Sequence, residues 1–335
     1  MKRMGLRARA GFLASSFAIL GGCGSSDGAP MGATSTDAGT ASDATGASDA
    51  QGSTDAARAD SGHTDSGTTA HDSGTTSGDG GTQPTSTCKR GIASNIAPSA
   101  AFAHTSTSPG ITWWYNWSTQ PAATPASIEF DPMIWGSGSL NAALPSGSPF
   151  VLGFNEPNFS AQSNLTPQQA AADWPTVETN AHAVGAKIVS PAVNFCGSAS
   201  DTSGCSDPSV TDPYTYLKDF FSACPGCEVD AIAVHWYNCD LPSLKAYIDG
   251  NSSLEGFVQF GKPIWLTEVS CDGSHSVADQ QAYMEAVIPY LEGNADVARY
   301  SWFSSTAIAS AQLTNGDGSL TALGTTYVGL AENCP

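Results

Sequence analysis

The chain has 335 residues, of which 40% are hydrophobic and only 13% charged, and its formal net charge is −19. So acidic a chain repels nucleic acid and anionic lipid surfaces, which excludes both as expected partners of its folded part. The length allows a substantial core, but residues 24–87 carry almost no large apolar side chain and cannot contribute to one.

In chain order, the first 23 residues read as an export signal. Lys2, Arg3, Arg7 and Arg9 form a positive end, an apolar run occupies residues 10–20, and "LGGC" closes the segment. The run is too short to stay in a bilayer as a spanning helix. A small-residue stretch ending in cysteine resembles a bacterial lipobox, in which Cys23 becomes the lipidated first residue of the mature protein. That implies an exported lipoprotein on the outer membrane or cell surface, touching membrane only through the anchor at Cys23. The alternative is an ordinary secretory signal cleaved elsewhere, giving a secreted protein.

Residues 24–87 are Ser, Thr, Gly, Ala and Asp with a single cation, Arg58. Ordering such a segment costs more entropy than its burial can return, so a disordered tether is expected, with a reach of roughly 45 Å. The remaining residues, 88–335, hold every Trp and carry 7 Lys and Arg against 22 Asp and Glu, a net charge of about −15. A neutral polymer remains a suitable partner. Apart from Cys23 there are eight cysteines: Cys88, Cys196, Cys205, Cys224, Cys227, Cys239, Cys271 and Cys334. In an exported protein that even number suits four disulfides, although eight cysteines allow about 105 pairings.

Eight short runs rich in β-branched and aromatic residues follow one another: "KRGIASN", "GITWWYNWS", "SIEFDPMIWG", "PFVLGFNEPN", "AKIVSPAVN", "VDAIAVHWYN", "PIWLTEVSC" and "ARYSWFSS". Helical patterns lie between the later ones, over residues 166–184, 213–223, 241–260 and 277–291, with a further one over 320–332. Thr166 followed by Pro167 is a helix start. Strand and helix alternating over about 250 residues predict an α/β fold, a (β/α)8 TIM barrel preceded by a disordered linker. A doubly wound open sheet is the structural rival, but no glycine-rich phosphate turn follows the first strand.

In such a barrel the C-terminal strand ends share one face. Here they carry Asn116, Trp117, Trp135, Asn155, Glu156, Asn194, His235, Trp236, Tyr237, Glu268 and Trp302. Two carboxylates flanking a bond are the working parts of glycoside hydrolysis, one delivering a proton and the other attacking or activating water. Aromatic rings suit the apolar faces of sugars. Of the indoles near the mouth, Trp135, Trp236 and Trp302 are the favoured sugar platforms. His235 is the type of residue that either satisfies a core or bonds a sugar hydroxyl. "CPGC" at 224–227 has no second CxxC to complete a zinc site and reads as a local disulfide.

"LGFNEPN", "HWY" and "WLTEVS", with "WWYNWS" and "YSWFSS", resemble glycoside hydrolase family 128, the clan A β-1,3-glucanases. The likeness runs from about residue 89 to the C-terminus. It implies Glu156 as general acid/base and Glu268 as nucleophile of a retaining endo-β-1,3-glucanase. It further implies Asn155 on the substrate 2-hydroxyl and Tyr237 on the nucleophile. Asn116 and Asn194 are further candidates for sugar contacts. In these roles Glu156 is expected to hold its proton, and Glu268 to stay ionised with help from the Tyr237 hydroxyl. Barrel topology suggests Cys239–Cys271 past adjacent strand ends, Cys88–Cys334 at the termini and Cys196–Cys205 in the loop after the fifth strand. No metal or organic cofactor is implied, the partner is a β-glucan polysaccharide or oligosaccharide, and the chain is expected to act as a monomer. The alternatives are a non-catalytic glucan-binding lipoprotein, or a hydrolase or transglycosylase acting on another β-linkage.

Overall fold

The computed structural model describes residues 88–121 and 127–334; Cys23, the signal segment and the linker lie outside the described residues. Eight strands occur in chain order: β1 Arg90–Ser94, β2 Trp113–Tyr115, β3 Glu129–Phe130, β4 Phe150–Leu152, β5 Lys187–Val189, β6 Ile232–Trp236, β7 Ile264–Val269 and β8 Val297–Ser304. All pair in parallel, in a six-stranded sheet of order β3-β2-β1-β8-β7-β6 and a two-stranded β4-β5 sheet. Isolated parallel bridges Met133↔Leu152 and Val189↔Ala231 flank the β4-β5 pair on its two sides.

Five α-helices fill the later connections: α1 Pro167–Val184, α2 Pro213–Ala223, α3 Leu241–Asp249, α4 Val277–Gly293 and α5 Ala322–Gly329. Thr166 accepts from the Gln169 amide and Gln169 reaches back, so α1 starts on a capping box and stops at Gly185 in the left-handed region. The helix expected over 241–260 is shorter. It ends at Gly250 (φ 82), whose Cβ would sit 2.6 Å from the Glu255 carbonyl, and Gly256 (φ 73) faces Gly250 just as closely. Two glycines in mutual backbone contact close a turn no other residue fits, and helical structure resumes only as a 3-10 turn at Phe257–Phe260. Among the described residues before β4, the connections hold 3-10 turns at Ala100–Phe102 and Ser137–Ser139.

Strand alternation sorts the core into two layers. Ile92, Trp114, Val151, Ile188, Ile232, Leu266, Tyr300 and Trp302 pack with the helices. Ala93, Trp113, Tyr115, Leu152, Val189, Ala233, Trp265 and Phe303 form the opposite, helix-free layer. At the N-terminal end of that second layer lies an ion cluster. Arg299 bonds Glu129 at 2.5 Å and Asp131 at 2.9 Å. Its guanidinium rests between the rings of Trp113, Phe150 and Trp265 at 4.6–5.4 Å. Asp131 is thus a structural acid.

The ends of the domain are tied together. Arg90 of β1 donates to the carbonyls of Tyr327, Leu330 and Ala331, and Cys88 bonds Cys334. Three further disulfides join Cys196–Cys205, Cys224–Cys227 and Cys239–Cys271, with Cα separations of 4.8–5.3 Å.

Candidate active site

Glu268 reaches the site because β7 carries a bulge. Val234 and His235 of β6 face Leu266 and Glu268, skipping Thr267; on the other side Leu266 and Val269 face Tyr300 and Trp302, three steps against two. One extra residue reverses the alternation. Trp265 faces the helix-free layer and Leu266 the helices, yet Val269 again faces the helices. Glu268 is therefore turned to the same side as Trp265, against the pattern that its number alone gives.

A comparable shift precedes Glu156. Leu152 lies in the helix-free layer and Phe154 against the helices. Between them Gly153 has no room for a Cβ, which would lie 2.8 Å from the Trp174 ring and 2.9 Å from Ser190. Glu156 itself sits at φ 39, and Trp117 at φ 59. Backbone in that region is strained for non-glycine residues and concentrates where side-chain aim matters.

The two carboxylates meet across His235. Its Nδ1 lies 2.9 Å from Glu156 Oε1 and 3.2 Å from Glu268 Oε2. One oxygen of each glutamate and the imidazole nitrogen all fall within 4.8 Å of one another. These three could offer atoms to a cation; the nitrogen-to-oxygen distances themselves are those of hydrogen bonds. Glu268 also accepts from the Trp117 indole at 2.7 Å and from the Tyr237 hydroxyl, and the Tyr115 hydroxyl oxygen lies 3.3 Å from its Oε1.

Burial works against a charged His235, but the Glu268 charge and the Glu156 hydrogen bond outweigh it and its pKa is raised. The Glu268 carboxyl is raised as well, first by burial and then by the Glu156 charge, against the pull of His235, Tyr237 and Trp117. The expected Tyr237 hydrogen bond favours the ionised form, but burial outweighs it, with His235 and Trp117 also opposing burial. Tyr115 and Tyr237 are pushed well above the usual phenol range by burial and by the Glu268 charge, so both remain protonated donors.

The other anticipated residues divide. Asn155 is 3% exposed, its Nδ2 lies 3.4 Å from Gln162 Oε1, and its Oδ1 has no hydrogen-bond partner among the described residues. Trp135 is half-buried, packs on the helix-free layer and takes the Asn155 amide on its carbonyl at 2.9 Å. Asn116 closes the turn before Trp117, accepting from the Ser118 amide and donating to the Gln120 carbonyl. Asn194 bonds its neighbour's amide, and its carbonyl accepts from Asn158.

Two favoured sugar platforms are corrected. Trp302 is fully buried against α5, with its indole on the Ala311 carbonyl at 2.9 Å and its ring 6.1 Å from Tyr327. Trp236 faces Tyr247 of α3 at 4.9 Å. Both point to the helices because His235 and Phe303 take the opposite side. Sequence reasoning missed Tyr115 altogether, and placed Trp117 at the mouth without seeing it as a carboxylate partner. The alternation of "WWYNW" is the one available signal, and it puts Trp113, Tyr115 and Trp117 on one side.

Two buried, histidine-bridged glutamates at parallel strand ends suit acid/base chemistry at a glycosidic bond, and comparison specifies the class. The chain belongs to the glycosyl hydrolase catalytic core family, which it matches over residues 91–327, and within it to glycoside hydrolase family 128. Its structure is similar to a GH128 subgroup II endo-β-1,3-glucanase from Sorangium cellulosum, at 37% identity and TM-score 0.62, covering 74% of this chain and all of that one. It is also similar to a subgroup I endo-β-1,3-glucanase from Amycolatopsis mediterranei in complex with laminaritriose, at 30% identity and TM-score 0.54, covering 72% and 98% of the two chains. Alkali-sensitive linkage protein 1 of Schizosaccharomyces pombe is 31% identical over 257 residues, 73% of this chain; the match spans only 43% of that relative.

Proposed function

We propose that this chain is a retaining endo-β-1,3-glucanase acting on β-1,3-glucan, with Glu156 as acid/base and Glu268 as nucleophile. The observation that carries the proposal is the spacing of the two glutamates. Carboxylate oxygens within 4.8 Å of each other suit direct attack; an inverting pair is held about 6.5–9.5 Å apart to admit water. Glu156 would protonate the glycosidic oxygen while Glu268 attacks the anomeric carbon, forming a glycosyl ester and releasing the alcohol. Water, deprotonated by Glu156, would then cleave the ester and return the proton. Likeness to the endo-acting members supports the linkage and mode.

The same proposal includes closure of the eight strands into a barrel, supported by bridges on both sides of β4-β5. Asn155, Trp135 and Tyr237 are proposed around the sugar. A catalytic domain over 88–335, exported and tethered through Cys23 and the 24–87 linker, is supported by the signal-like N-terminus and by four disulfides.

The test is laminarin hydrolysis followed by proton NMR. Purified protein should release oligosaccharides whose first-formed reducing ends are β anomers, and Glu268→Gln should abolish release. Binding of laminarin without any release would support the glucan-binding alternative; first-formed α anomers would overturn the retaining assignment.

A further inference from the structure

A bulged residue leaves its backbone carbonyl outside the strand ladder, and Thr267 is fully buried, so that oxygen must find partners elsewhere. It finds two. Tyr115 of β2 donates its hydroxyl to the Thr267 carbonyl at 3.0 Å, reaching across from a strand three places away in the sheet order. Ser301 of the adjacent β8 donates to the same oxygen. Both residues are fully buried, and neither hydroxyl is required by its own strand. The bulge is the feature that turns Glu268 towards His235, Tyr237 and Trp117.

We propose that Tyr115 and Ser301 are positioning residues whose hydroxyls grip the bulged Thr267 carbonyl and thereby set the aim of Glu268. The proposal rests on the assignment of Glu268 as nucleophile. Ser301 is the sharper probe because it does not touch the carboxylate. Tyr115 touches both, lying 3.3 Å from Glu268 Oε1 and edge-on to the Trp117 ring at 5.3 Å. A hydroxyl serving the core alone would contribute to stability and leave the turnover of folded protein unchanged. A hydroxyl setting aim acts on the bond-forming step, where a misplacement of about 1 Å costs on the order of 100-fold.

The experiment uses the full chain with laminarin, comparing wild type, Ser301→Ala, Tyr115→Phe and Glu268→Gln at a temperature where melting curves show each to be folded. For Ser301→Ala, kcat is expected to fall about 10- to 100-fold with KM within about two-fold. Tyr115→Phe, which removes the hydroxyl bonded to the Thr267 carbonyl, should show the same split. If Ser301→Ala does not fold, Ser301→Cys, which keeps the volume and replaces the hydroxyl with a weak thiol donor, decides in its place. Wild-type kcat in a folded variant, or a loss wholly in KM, overturns the proposal. Activity surviving Glu268→Gln would instead overturn the nucleophile assignment, so the two failures are told apart.

Discussion

Replacing Trp117 with Phe tests the electrostatics of the nucleophile directly. The indole N–H lies 2.7 Å from Glu268 Oε1, and the pair is almost wholly shielded from water. A hydrogen bond to a charged group contributes about 1.5–3 kcal/mol, and about 1.4 kcal/mol corresponds to one pKa unit. Losing this donor should therefore destabilise the anion by that amount and raise the Glu268 pKa further, because only the ionised form accepts the bond strongly. The sign is fixed: fewer donors favour the neutral acid, so the acidic limb of the kcat/KM profile moves to higher pH. The Phe ring keeps much of the packing against Tyr115 and Phe303. A pH series on laminarin oligosaccharides reads the limb. An unmoved limb, or one moved to lower pH, would show that Trp117 does not support the carboxylate.

Further outcomes follow from packing and charge. Arg299→Met strands the buried Asp131 and the partly buried Glu129, costing about 3–5 kcal/mol in a denaturant melt. Because burial already raises the Asp131 pKa well above its usual value, a proton can relieve the stranded pair, so the loss should deepen as pH rises above the ordinary carboxylate range. Removing Cys88–Cys334 with paired serines should cost about 5 kcal/mol against about 2 kcal/mol for Cys224–Cys227, as measured by urea unfolding, since the loops differ greatly in length. Trp302→Leu should lower the melting temperature while leaving the KM for laminarin within about two-fold, because the ring lies under α5.

The eight strands and the two glutamates were legible because parallel strands buried on both faces read as continuous apolar runs, and a carboxylate ending such a run stands out. The direction of each side chain was not. Alternation carries the eye from Trp302 or Trp236 to the mouth only if the register is known, and the β7 bulge leaves no mark in "PIWLTEVSC". The Gly250 and Gly256 contact likewise hides in a segment whose apolar spacing suits a helix. Tyr115 escaped notice since its partner is a backbone carbonyl three strands away, a relation that no local pattern encodes.

Covalent trapping bears most directly on whether Glu268 attacks the sugar. Incubation with a 2-deoxy-2-fluoro laminaribioside bearing a good leaving group should inactivate the protein, and peptide mass spectrometry should place one fluorosugar on Glu268. An adduct on another residue, or turnover with no adduct and first-formed α anomers, would contradict double displacement by this pair.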